Sequence, residues 1–290
     1  MLTVNPCIKT AMKASPHTFD SLLSDKLTTD MLPNFIYGSY TGLAVTVFGL
    51  VPTITAMFGK SILPSLAESC AKNDKKAMQS GLTKMLIVTS IIAIPAGMGI
   101  AVLSEPILRF LFGGRETEIQ VCIMPMSILG IAVIFLAIAT PCFAILQTLG
   151  KPHKAIIIMS AGGIIKLFLN IILIRQPIIN ISGAAISTLV SEVFICVLSV
   201  RSVCKMTDLK PKVSEIFVKP TYAAITCSVT AILSHETLTK IAHLQINHRF
   251  VTLFSIGIGS TMYFFCLYLL CETPKNIVNY IFSKKNPQNP

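Results

Sequence analysis

Charge is what this sequence has least of. Only 13% of its 290 residues are Asp, Glu, Lys or Arg, and a soluble domain carries about twice that fraction. Hydrophobic residues make up 53% and mean hydropathy is +0.72. Several charge-free runs are long enough to cross a hydrocarbon core, which takes roughly 20 helical residues. The lack of charge therefore excludes an ordinary soluble domain and points to a multi-spanning helical membrane protein.

Chemical signatures are scarce too. The nine cysteines show no CxxC spacing, which argues against a zinc site or a disulfide framework. Most lie in apolar runs (Cys122, Cys142, Cys196, Cys227, Cys266), where Cys acts as a small apolar residue. No GxSxG, Walker or DxD pattern occurs. His235-Glu236 opens an HExxH match, but Thr239 holds the fifth position, and His243 is spaced wrongly for two ligands on one helical face. Neither an enzyme nor a cofactor or metal is expected. Gly113-Gly114 is no phosphate loop, because no GK[ST] follows. Asn180-Ile181-Ser182 fits a glycosylation sequon, but its loop hugs the membrane. The N-terminus lacks an apolar h-region, so no cleavable signal is expected. The net charge is +11, yet basic and aromatic residues do not cluster, so no nucleic-acid partner is expected. The lysines and arginines instead gather beside the apolar runs, where they set orientation and meet anionic lipid.

Seven spans are expected: 35–58, 85–103, 121–146, 155–174, 178–200, 218–234 and 250–271. Thr and Ser dilute the sixth. Odd-numbered loops and the tail hold fourteen basic residues, and the even loops five. The positive-inside rule puts loops one, three and five and the C-terminus in the cytoplasm. Ser104–Gly114 reads as an interfacial helix on the outer face. Pro52 and Pro95 fall near the centres of the first two spans and each removes a helical hydrogen bond. They are hinge candidates, with a static bend as the alternative.

The deep polar residues carry more information. Lys166 interrupts GGIIKLFLNIILI (Gly162–Ile174) about twelve residues, roughly 18 Å, from the inner end of its span. A lysine at that depth costs at least a few kcal/mol unless paired or wet. Glu192 is the only charge in the next span, at similar depth. Asn170 lies one turn beyond Lys166 on the same face, and Gly162 one turn before it. An ion pair or a shared aqueous cavity follows. Two roles are open: the wall of a substrate or ion pathway, or a buried pair that locks two helices.

Five phrases, in order, carry a resemblance: YGSYTGLAVTVFGLVPT (Tyr37–Thr53), SILPSLAESCAKND (Ser61–Asp74), IPAGMGIAVLSEPILRFLFG (Ile94–Gly113), ILQTLGKPHKAIIIMSAGGIIKLFLN (Ile145–Asn170) and INISGAAISTLVSE (Ile179–Glu192). Together they resemble the polysaccharide-biosynthesis or stage V sporulation protein B branch of the MOP exporter superfamily, related to the murein-precursor lipid flippases. The resemblance implies an all-α membrane protein whose seven helices match the second lobe and trailing helices of a fourteen-helix flippase. It implies a lipid-linked oligosaccharide flippase of the bacterial cytoplasmic membrane that works by alternating access without ATP, in spore or cell-envelope polysaccharide synthesis. The partners implied are membrane lipids, a lipid-linked glycan and a separately encoded N-terminal lobe. Gln147, within the fourth phrase, joins Lys166, Glu192 and Asn170 as a pathway candidate. The first-lobe cations that hold pyrophosphate in the murein branch have no counterpart here. The expected organisation is a polar segment at 1–30, a five-span bundle at 31–210, two trailing spans at 211–272 and a cytoplasmic tail at 273–290. Alternatives are a cation-coupled drug or metabolite antiporter of the same superfamily, and a non-transporting remnant or scaffold.

Overall fold

The computed structural model describes residues 4–15, 30–72, 74–208, 214–242 and 248–270. The expected tail at 273–290, Lys210, Lys212 and His243 lie outside the described residues.

All regular structure among the described residues is helical. In chain order the helices are α1 (Val4–Ala14), α2 (Leu32–Ser39), a π-helical turn (Tyr40–Ala44), α3 (Val45–Ala71), α4 (Lys75–Val102), α5 (Ser104–Phe112), α6 (Glu116–Thr148), α7 (Pro152–Leu173), α8 (Ser182–Thr207), a second π turn (Ser214–Val218), α9 (Lys219–Ala242) and α10 (His248–Leu270). Among the described residues, seven stretches are long and apolar enough to cross a membrane: Leu32–Met57, Lys75–Val102, Glu116–Thr148, Pro152–Leu173, Ser182–Thr207, Ile216–Lys240 and Val251–Leu269. The protein is a multi-pass membrane protein, and each expected span overlaps one of these.

The helices outrun the expected spans. Residues 58–84 were divided between one span and a basic loop, yet α3 continues to Ala71 and α4 starts at Lys75. Charge ends the bilayer run but not the helix, because Lys and Glu are good helix formers. Asp74 turns the chain between them, and its side chain accepts the Ala77 N–H at 3.0 Å as an N-cap. The fifth span also starts later than expected. Residues 174–181 form turns, Ile178 is 93% exposed, and α8 begins at Ser182. Gly183 is required there, since a Cβ would lie 2.8 Å from the Leu173 carbonyl carbon.

The 33-residue α6 is the hub, packed against α3, α4, α5, α7 and α8. Small residues set its closest approach. A Cβ on Gly130 would sit 2.5 Å from the Ala101 nitrogen of α4, and Ser127 donates to the Ala101 carbonyl at 2.6 Å. One core region gathers Leu108, Ile119, Met126, Leu129 and Ile181 with the start of the first span. Another gathers Leu82, Leu86, Ile138, Ile145, Ile195 and Val203. Thus the start of α4, the end of α6, the start of α7 and the end of α8 share one pole. There Lys75 pairs with Asp208 at 3.4 Å, and Gln79 donates to the Thr207 carbonyl at 3.1 Å. At the α5 pole, Arg109 binds Glu105 at 3.0 Å and Glu116 at 2.5 Å. The Glu105 bond, foremost, holds that guanidinium above its ordinary range.

The polar N-terminal segment contains more structure than its composition suggested. Val4, Cys7, Ile8 and Ala11 form a stripe at helical spacing and are buried in α1. They join the core region of Leu32 and Ile36. At the other end of the chain, α9 packs along α4, and α10 packs on α9.

Candidate functional site

The pathway candidates meet a seam between α7 and α8. Its two helices are antiparallel and joined by the short 174–181 turn. Ser191 donates to the Gly162 carbonyl at 2.8 Å, and the Ser187 hydroxyl donates to the Asn170 side-chain oxygen. Gly162 is there because of Ile195: a Cβ would lie 2.4 Å from that side chain. Asn170, Ser187 and Ser191 are all buried. The first span reaches the same seam through Tyr40 of the π turn, which comes up to Thr188.

Lys166 stands between Gly162 and Asn170, half-buried at the edge of this seam, and Glu192 is half-buried across from it. Of the two expected arrangements, an ion pair or a shared aqueous cavity, a contact ion pair is not formed, though each group lies in the other's field. Neither residue is among the described ion pairs, and the Glu192 Oε2 atom is buried without a hydrogen-bond partner. The physical reason lies in the register. Ser191 and Ser187 already hold α8 against Gly162 and Asn170, leaving Lys166 and Glu192 to flank the contact rather than make it. The lock between these helices is thus a set of neutral hydrogen bonds. Both charged groups keep their hydrogen-bonding capacity, three donors on the ammonium and an acceptor on the carboxyl. Such a pair can meet an anionic group or pass a cation or proton. No group of His, Cys, Asp and Glu suited to a metal occurs among the described residues.

Gln147 is apart from this seam. It is exposed near the end of α6, where its carbonyl accepts the Gly150 N–H at 3.0 Å in the turn toward α7. Pro52 is half-buried within α3, and its carbonyl accepts from Thr55 at 3.1 Å. Pro95 lies within α4 and lines a half-open cavity of 580 Å³ between α4–α5 and α9–α10. Ile92, Ile100, Ala231, Ile256 and Phe264 help make that wall apolar, with Ser260 and Tyr263 as polar exceptions.

Sequence reasoning missed Ser187, Ser191 and Tyr263. For the serines a signal existed: they recur at i, i+4 on a helix whose preceding span carries Gly162 and Asn170 at matching depth. For Tyr263 none did, because its partner is 172 residues away.

The chain is similar to known proteins. Residues 35–258 match the model of the lipid II flippase MurJ family. The chain belongs to that family. It is 26% identical over 136 residues to lipid II flippase MurJ of Bacillus subtilis, a match covering 47% of this chain and 25% of that protein. It is 22% identical over 182 residues to stage V sporulation protein B of the same organism, covering 62% of this chain and 34% of the relative. Among solved structures, a MOP superfamily transporter from Pyrococcus furiosus superposes with a TM-score of 0.53 at 15% identity, covering 96% of this chain and 67% of that one. That likeness shows a MOP-type fold. The chain spans about a quarter to two-fifths of the length of the curated relatives it matches.

Proposed function

We propose that this chain supplies the second lobe and two trailing helices of a lipid-linked oligosaccharide flippase, embedded in a bacterial cytoplasmic membrane with its C-terminus in the cytoplasm. The observation that carries the reading is the lipid II flippase match over residues 35–258 on a bundle of seven membrane-long helices. Its cargo is a polyprenyl-pyrophosphate sugar of the kind used for cell-envelope or spore polysaccharide, and transport rather than bond chemistry is its work. Two features of the bundle suit such a cargo. The 580 Å³ cavity, apolar but for two side chains, suits a hydrocarbon chain. Lys166, which makes no contact ion pair with Glu192, suits an anionic head group as a point charge.

A first lobe completes the pathway, and the first span offers it a face. Gly38, Gly42, Thr46, Gly49 and Thr53 are all exposed along that helix. The glycines have no neighbour within 4 Å of an added Cβ. Thr46 and Thr53 spend their hydroxyls on the Gly42 and Gly49 carbonyls, each at 2.8 Å. Faces turned to lipid elsewhere carry bulk instead, as Ile157, Ile164 and Phe168 do on α7. Small residues let another helix approach closely.

The test is reconstitution. The chain joined to a first lobe, in vesicles bearing a fluorescent polyprenyl-pyrophosphate sugar, is expected to move the label between leaflets, while vesicles without protein do not. Lys166→Met in the same two-lobe protein is expected to slow that movement. No movement in the joined protein would overturn the flippase reading. Normal movement with Lys166→Met would remove that lysine from the path.

A further inference from the structure

A proline within a helix leaves the carbonyl four residues earlier without its N–H. For Pro95 that carbonyl belongs to Ile91. In this structure the Tyr263 hydroxyl, from α10, donates to the Ile91 carbonyl at 2.8 Å. The donor is well held. Tyr263 is 3% exposed, and its ring meets Phe264 edge-on with centroids 5.7 Å apart. In the bilayer no water stands ready to replace it.

The surroundings make this carbonyl a controllable point. Just beyond Pro95, α4 is fixed to α6. A Cβ on Gly97 would lie 2.6 Å from the Gly130 carbonyl oxygen, and Ser127 binds the Ala101 carbonyl at 2.6 Å. Far before Pro95, the Lys75–Asp208 and Gln79–Thr207 contacts tie the start of α4 to the end of α8. Between these anchors the helix has one proline. It also has two fully buried hydroxyls without hydrogen-bond partners, those of Thr89 and Ser90. Such hydroxyls bend a helix when they turn to the carbonyl of the preceding turn. The segment from Thr89 to Pro95 thus holds unused donors on one side and a carbonyl satisfied from outside on the other.

We infer that Tyr263 is a latch on the Pro95 bend, through which the trailing hairpin α9–α10 sets the angle of α4. Releasing the hydroxyl frees the Ile91 carbonyl to take a donor from its own helix, and the bend changes. Tyr263 and Pro95 also line the same cavity. Latch, bend and cavity width are then one coupled variable, and a hairpin displaced from α4 alters all three. Tyr263 is a positioning residue in this scheme, since it acts through α4.

The test uses the full chain in lipid nanodiscs and reads amide hydrogen exchange along α4. Tyr263→Phe keeps the ring and removes only the donor. It is expected to speed exchange in the α4 segment around residues 88–99 about 3-fold to 18-fold, the range for one membrane-buried hydrogen bond, and to leave α7 and α8 unchanged. Pro95→Ala returns an N–H to the Ile91 carbonyl, so adding Tyr263→Phe to it is expected to change nothing in that segment. Pro95→Ser restores the same N–H and replaces the alanine variant should that one not fold. Two results would overturn the latch: unchanged α4 exchange with Tyr263→Phe, or an equal acceleration with and without Pro95. None of these readouts involves transport, so the outcome is independent of the flippase reading.

Discussion

The crossing of α4 and α6 makes the sharpest stability prediction. At Gly130 an added methyl group would meet the Ala101 nitrogen at 2.5 Å and both the Ala101 Cα and the Gly97 oxygen at 2.8 Å. All three are backbone atoms, so no side chain can swing away. The helices must part by roughly 1 Å to reach ordinary contact distance. Overpacking of this kind costs about 1–3 kcal/mol. Parting also stretches the 2.6 Å Ser127–Ala101 bond, worth on average about 0.6 kcal/mol in a membrane. Against this, alanine is favoured over glycine within a helix by about 1 kcal/mol. Gly130→Ala is therefore expected to lose about 0.6–2.6 kcal/mol net, or roughly 3-fold to 70-fold in the unfolding equilibrium. The assay is SDS titration of the protein in mixed micelles, followed by helical circular dichroism. Gly99→Ala is the control, because no atom lies within 4 Å of its added methyl. It should be neutral or slightly stabilising. If Gly130→Ala matched or exceeded Gly99→Ala in stability, the close crossing would not be a real constraint and the argument would fail.

Two further outcomes follow from the α7–α8 seam. Gly162→Ala should destabilise by about 1–2 kcal/mol, and because the clash is with the flexible Ile195 side chain, Ile195→Ala in the same protein should recover part of the loss; equal midpoints for the single and double variants would contradict this. Lys166→Met should raise the detergent unfolding midpoint, since a partly buried ammonium without an ion pair is removed; a formed pair would instead lose about 3–5 kcal/mol, so a clear drop would restore the ion-pair reading.

The spans were legible because apolar length is a one-dimensional property. Each charge-free run became a helix near its expected place. Boundaries were less legible: the sequence marks where lipid ends, whereas helices α3 and α4 continue through lysine-rich turns until Asp74 caps the second of them. The α1 stripe was legible in principle, yet a polar average hid its four buried residues. Glu192 and Lys166 were found by depth alone. Depth places two groups at one level but not on one line, and the rotation of each helix decides the rest. Here the serines fix that rotation. The Tyr263–Ile91 contact was illegible because only the docking of α9 on α4 brings α10 into reach.

These contacts divide the bundle by mechanical role. Neutral, close-packed joints fix α6 to α4 at Gly97 and Gly130, and α7 to α8 at Gly162 and Asn170. Backbone atoms set the spacing at the first joint, and the Ile195 side chain with two serine hydrogen bonds sets it at the second. Among the described residues, buried polar atoms without partners occur on Asn5, Asn180 and Ser228, and at two places that bear on these joints: Thr89 and Ser90 before Pro95, and Glu192 beside Lys166. An unsatisfied buried group costs about 1–3 kcal/mol. It gains from any nearby state that pairs it. Both places adjoin a fixed joint, so a motion there has a firm base to turn on. A rocking transporter needs that combination, since a uniformly soft bundle would absorb the motion and a uniformly tight one would forbid it. The unpaired groups, rather than the tightest contacts, are therefore where substitutions should change the distribution of conformations most for the least loss of stability.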